Sequence, residues 1–162
     1  MQRGLKHMQP PRGLTRLTAR LPLWLYRARL GWLLGDRFLM LTHIGRNSGL
    51  PREVVLEVVA HDRGTDTYIV ASGWGKRSDW FRNIQHNPAV VVSIGRRRFD
   101  AVASQLPVDE ATQRLGDYVR RHPVAARTLG RLILGEPLDG SEESCRRLAQ
   151  SAPLVALQQR SR

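Results

Sequence analysis

A single cysteine, Cys145, stands in 162 residues. No intrachain disulfide can form, and no cysteine-based zinc or iron–sulfur site of the usual ligand number can be built. Such a chain suits a reducing cytoplasm. No run approaches the roughly 20 apolar residues of a membrane-spanning helix. The N-terminus shows no compact apolar stretch followed by a small-residue cleavage site. The five histidines, His7, His43, His61, His86 and His122, contain no helix-spaced pair, so no metal site is expected. No Gly-x-Ser-x-Gly elbow and no informative serine–histidine placement marks a nucleophile. Repeats and low-complexity tracts are missing too. Hydrophobic content of 41% and charged content of 25% are ordinary for a globular domain with a real core.

Acidic residues are also scarce. Against 14 Asp and Glu stand 26 Lys and Arg, a formal charge of +12. Residues 1–52 hold ten of the basic residues and one acid, Asp36. This field draws in polyanions: nucleic acid, an anionic membrane surface or a highly charged small molecule. Aromatics make up 6% of the chain. They are not spread across strands as a base-stacking platform, and no nucleic-acid motif appears, so a nucleic-acid partner is not expected.

Two parts are expected: a basic N-terminal tail and amphipathic helix, residues 1–35, and a β-rich domain that would bind a cofactor, residues 36–162. Residues 1–13 read as a loose polar tail. From 14 to 34, Leu14, Leu17, Leu21 and Leu25 recur at helical spacing among Arg16, Arg20, Arg27 and Arg29, with Trp24 and Trp32 adding bulk. Pro22 divides or kinks the pattern. An interfacial membrane helix and a helix packed on its own domain or on a dimer partner both fit this stripe.

Beyond it, β-forming runs dominate. Strands are expected at Phe38–Thr42, Val54–Ala60, Thr67–Ala71, Ala89–Ile94, Arg97–Ser104 and Pro153–Leu157. Helices are expected at Asp79–Gln85 with Ser78 as N-cap, from Val108 to Arg121, onward from the His122-Pro123 break to about Leu134, and at Ser141–Gln150. Six short strands without βαβ alternation predict a largely antiparallel sheet closed into a small barrel, with peripheral helices.

Two loops could hold an anion. The first, between the first two strands, carries Gly45, Arg46, Asn47, Ser48, Gly49, Pro51 and Arg52. Guanidinium forks beside glycine-exposed amides suit phosphate or carboxylate, while solvated arginines in a plain hairpin fit equally. The second is Ala71, Ser72, Gly73, Trp74, Gly75, Lys76 and Arg77, ahead of a helix N-terminus. Trp80 and Asn83 lie on that helix, where Asn83 can bond a ligand or its neighbours. His43 can face a ligand and His122 can donate a proton. With no covalent or acid–base apparatus in view, the pattern favours a cofactor that does the chemistry while the protein holds it.

The run Leu41, Thr42, Gly45, Arg46, Ser48, Gly49, Pro51, Arg52 resembles the signature of the deazaflavin-dependent nitroreductases, actinobacterial split β-barrel oxidoreductases that use coenzyme F420. The resemblance continues through Ile69, Val70, Ala71, Ser72 and the glycine loop. It extends to Asp79, Trp80, Phe81, Asn83, Ile84, Asn87 and Pro88, and loosely to Pro153–Leu157. It implies hydride transfer from reduced deazaflavin to a small planar acceptor such as a quinone, enone or nitroaromatic. It also implies that Arg46, Asn47 and Arg52 approach the phosphate and oligoglutamate tail, with Ser48 among the cofactor-binding candidates. Ala71, Ser72, Gly73, Trp74, Gly75 and Lys76 would line the deazaflavin and its linker. Trp80 would lie near the ring and the substrate pocket, and Asn83 counts among the cofactor-binding candidates. Relatives carry lysine at the positions of Asn47 and Gly73, and their tyrosine cluster is missing between His122 and Leu134. The family includes quinone reductases with a basic N-terminal helix at the membrane, so a cytoplasmic protein, peripheral to the inner face of the membrane through residues 14–34, is one expectation. A homodimer is another. FMN or haem in the same barrel, or a non-enzymatic basic binding protein, are the alternatives.

Overall fold

Alternation of apolar and polar residues closes a barrel. In β1 (Phe38–Ile44) Leu39, Leu41 and His43 point inward, and in β2 (Pro51–Asp62) Val54 and Leu56 face them. β3 (Thr67–Ala71), β4 (Ala89–Ile94), β5 (Arg97–Gln105) and β6 (Leu154–Gln159) complete the order β1-β2-β3-β6-β5-β4, every pairing antiparallel. The β1–β4 pairing, Leu41 opposite Val92, closes the ring and removes both sheet edges. This computed structural model describes residues 35–73 and 75–160. The expectations for residues 1–34 and for Trp74 lie outside them.

Four helices surround the barrel: α1 (Asp79–His86), α2 (Val108–Arg121), α3 (Pro123–Leu134) and α4 (Glu142–Ser151). α1 lies across the barrel end where β1 stops and β2 starts. It drives Trp80, Phe81 and Ile84 into the interior core with Leu39, Leu41 and Val92. This end is therefore plugged, and a ligand at it must lie on the rim rather than inside. α2, α3 and α4 form a second core with the outer side of β2, β3 and β6, through Leu115, Tyr118, Leu148, Ile69 and Leu154.

The six expected strands are all present, with shifted ends. β2 starts at Pro51 rather than Val54, because the register with β1 zips down to Ile44 opposite Pro51. Proline is tolerated there as the first residue of a strand. Arg52 accordingly belongs to the strand and not to the turn. The β4–β5 hairpin turns on Gly95 at φ +55°, a value that favours glycine. Ser141 caps α4 by accepting from the Ser144 amide. Ser78 occupies the N-cap of α1 but makes no such bond; its hydroxyl turns instead to Ser72.

Gly130 is a sharp packing constraint. A Cβ there would lie 2.3 Å from the Leu138 amide nitrogen and 2.7 Å from the Glu136 carbonyl oxygen, both backbone atoms of the loop folded over α3. Gly130→Ala is expected to destabilise by about 1–3 kcal/mol, the usual range for overpacking, even though alanine is the better helix former. A urea melt checks this; unchanged or increased stability would show that the loop yields freely.

Candidate functional site

The β1–β2 turn is built by its own backbone. The Gly45 amide donates to the Leu50 carbonyl, the Gly49 amide to the Gly45 carbonyl, and the Leu50 amide to Ser48 Oγ. Gly49 sits at φ +67°, which ends the single turn. A Cβ on Gly45 would lie 2.6 Å from Ser48 Oγ, so only glycine lets the hydroxyl fold in. The amides of Asn47 and Ser48 remain unclaimed among the described residues, and both residues are exposed. Neighbouring amides of this kind suit an anion.

Arg46 is held by α1. Its amide donates to Asn83 Oδ1 at 3.0 Å, its Nη1 to the same oxygen at 2.9 Å, and its Nη2 to Asp79 Oδ1 at 3.2 Å. Asn83 is 4% exposed and gives its Nδ2 to His43 Nδ1 at 3.1 Å. The two arginine donors fix which atom of the amide is oxygen. His43 Nδ1 must then accept, so the imidazole is neutral with its proton on Nε2. Burial, and then the Arg52 charge, hold the His43 pKa below its usual 6.5, while Asp79 opposes.

His43 faces Arg52 across the β1–β2 ladder. Arg52 lies on the inward side of β2 at the rim, with its Cγ near Gly45, and makes no hydrogen bond or ion pair among the described residues. A cationic His43 would repel it. The unfolded chain binds a proton on this histidine at higher pH than the folded one does. Stability therefore falls as pH drops from about 6.5 toward the lower folded value. Thermal midpoints between pH 7 and pH 5 are expected to fall less in His43→Gln than in the native protein. An NMR titration placing His43 at or above 6.5 would contradict this.

The glycine loop meets the arginine turn because α1 begins at Asp79, directly after the loop. Within it, Ser72 is fully buried. Its hydroxyl donates to the Gly75 carbonyl at 2.7 Å and contacts Ser78 Oγ at 2.8 Å. Its amide donates to the Pro153 carbonyl at 3.0 Å, while Ala71 closes β3 opposite Leu154. The Ser72 hydroxyl is thus engaged in shaping the loop. Gly75 has φ +66°, and a Cβ there would lie 2.9 Å from the Ser151 carbonyl oxygen, so close approach to α4 and backbone conformation both require glycine. Gly73 is exposed with open space around it, and Lys76 is exposed in the following 3-10 turn.

Two further expectations meet a different environment. Trp80 is 6% exposed and packs edge-on against Phe81 in the barrel core, so it offers little face to a stacked ring. His122 separates α2 from α3 at the other end of the barrel. There it lines a groove of about 760 Å3 together with Arg37, Glu57 and Tyr118. The seven residues of β1 run between the two ends, about 20 Å from first to last at strand rise. In that groove Tyr118 donates to Glu57 at 3.2 Å, and burial followed by Glu57 raises its pKa to about 12. No group of three or more His, Cys, Asp or Glu side chains among the described residues could hold a metal. The sequence underweighted His43 and Asn83, which join into one buried network. A buried-strand histidine opposite an arginine was the available signal.

The closed six-stranded antiparallel barrel, with a basic, amide-bearing corner at its rim, has the split β-barrel fold. A family model described as F420H(2)-dependent quinone reductase matches residues 19–129, and the chain belongs to that family. It is an F420-dependent oxidoreductase. Among solved structures, it is similar to the F420-H2 dependent reductase FDR-A at 21% identity and TM-score 0.53, over 76% of this chain and 96% of that one. A protein described as a domain-swapped dimer matches at 20% identity and TM-score 0.53, over 85% and 99% of the two chains. HutZ, the heme storage protein from Vibrio cholerae, matches at 18% identity and TM-score 0.53, over 85% and 92%. These likenesses are ones of fold. Comparison with curated proteins gives no match.

Proposed function

We propose that the protein reduces a quinone with F420H2, and that the rim corner formed by Arg46, Asn47, Ser48 and Arg52 grips the anionic phosphate and glutamate tail of the cofactor. The observation that carries this reading is Arg52, a rim guanidinium with no described partner, set beside a neutral histidine and two unclaimed amides. Such a donor set fits a phosphate or a carboxylate, and a guanidinium can bind either bidentately. Asp79, at 84% side-chain exposure, is an exchangeable partner for Arg46, and an incoming anion can take its place. Ala71, Gly73, Gly75 and Lys76 would border the ring and linker, Asn83 would set the height of the corner, and Lys76 would add a second charge. When bound, F420H2 supplies a hydride that, with one proton, converts a quinone to the quinol. Quinone rather than nitroaromatic or enone is favoured by the family to which the chain belongs. His122 is left out of the site by its distance from the corner. A homodimer is part of the reading, supported by the dimeric relative of like fold.

Titration of purified protein with F420, FMN and haem tests the cofactor. Binding of F420 at micromolar concentration or tighter is expected, about 8 kcal/mol or more, with FMN and haem at least tenfold weaker. Oxidation of F420H2 should then depend on added naphthoquinone and outpace nitroimidazole reduction. Preferential FMN or haem binding would sink the cofactor assignment to this site, and a nitroaromatic preference would sink the quinone.

A further inference from the structure

The rim corner gathers donors: two guanidiniums and the amides of Asn47 and Ser48. Into it the fold also sets a carboxylate. Asp79 is the first residue of α1, and its Oδ1 lies 3.2 Å from Arg46 Nη2. The two partners are held unequally. Arg46 is 26% exposed at its side chain and is fixed independently, through its amide and Nη1 on Asn83 Oδ1. Asp79 is 84% exposed and makes no other hydrogen bond or ion pair among the described residues. The helix sets its backbone, but side-chain rotation alone takes the carboxyl off Arg46. Its charge nonetheless reaches the buried end of the corner, where it acts on His43 against burial and against Arg52.

We propose that Asp79 is a resident counter-anion of the rim corner, which holds Arg46 while the corner is empty, swings out when a ligand's phosphate or carboxylate arrives, and swings back to help expel it. This rests on the reading of the corner as an anion site, and adds what limits its affinity. A ligand gains Arg46 Nη2 only by breaking the bond to Asp79. It then stays beside a displaced like charge. Asp79 is tethered, so it competes at a high effective concentration whatever the solution contains. A small anion such as inorganic phosphate reaches few donors at once and meets this competitor in full. A ligand that engages Arg52 and the two amides together with Arg46 overcomes it. Asp79 therefore sets a threshold that favours a large, many-pointed anion over a small one, and it shortens the time a ligand stays. An exposed ion pair is weak, so Asp79 tunes the corner without blocking it.

The test uses the full chain carrying Asp79→Asn, which keeps the side chain's size and removes its charge, and Asp79→Ala, which removes the contact. Inorganic phosphate, followed by the amide shifts of Asn47 and Ser48, and F420 are titrated separately. Both variants should bind each ligand about three- to tenfold more tightly than the native protein. For F420 the gain should appear as slower dissociation in stopped flow, and added salt should shrink it. Asp117→Asn, on α2, makes the same change of net charge and should alter either affinity less than twofold. By NMR titration the His43 pKa should fall in Asp79→Asn, because a charge that raises it is gone. Phosphate bound no more tightly, F420 bound by the native protein but with no gain in the variants, the same gain in Asp117→Asn, or an unmoved His43 pKa would each overturn the proposal. A native protein that fails to take up F420, with phosphate still bound more tightly by Asp79→Asn, would sink the cofactor reading and leave the counter-anion standing.

Discussion

Asn83→Leu is expected to destabilise the protein by about 2–4 kcal/mol. The leucine fills a similar volume but abandons three partners at once: the Arg46 amide, the Arg46 guanidinium and His43 Nδ1. Each buried polar group left unpaired costs about 1–3 kcal/mol, and partial access of water to Arg46 moderates the sum. Asn83→Asp supplies a control of opposite sign. Its carboxylate still accepts from Arg46, but it confronts the lone pair of His43 Nδ1 and so favours the protonated imidazole. The His43 pKa should rise, and the loss of stability between pH 7 and pH 5 should shrink. Denaturant melts of both variants across that range check this. A loss below about 0.5 kcal/mol for Asn83→Leu would mean that the network contributes little.

The second large effect separates the two arginines. Arg52→Ala should weaken F420 binding by roughly 10- to 150-fold, the equivalent of one charge-assisted contact of about 1.5–3 kcal/mol, with stability almost unchanged, because Arg52 has no described partner to lose. Arg46→Ala should weaken binding to a similar degree and also lower stability, since Arg46 ties the turn to Asn83 and Asp79. Arg52→Lys should recover only part of the affinity, as a lysine loses the bidentate fork. Added salt should reduce affinity in the native protein more than in either alanine variant. Calorimetric titration with F420, paired with thermal melts, reads both quantities. Unaltered affinity in the double alanine variant would remove the rim corner from cofactor binding.

The architecture was largely legible because its signals are local. β-branched runs and the Gly95 hairpin each depend on a few neighbouring residues, and both appear where expected. Strand ends were less legible. Pairing with a partner extends β2 to Pro51, which no property of Pro51 itself demands. The anion-binding character of the turn could be read from its residue types. Which of its groups are spent and which are open could not be read there. Asn83, 37 positions away, claims two donors of Arg46, and Ser72 and Ser78 satisfy one another.

The amino-acid sequence by itself determined the barrel class, the family signature and the positive charge of the rim, because periodicity, turn chemistry and net charge are properties of neighbouring residues. Tertiary structure alone decided that Trp80 is core, that His122 lies at the far end, that Arg46 is anchored and that Arg52 is open. Each of these turns on which distant side chain arrives to fill a valence or cover a surface. That is settled by strand register and by the seating of α1 across the barrel end.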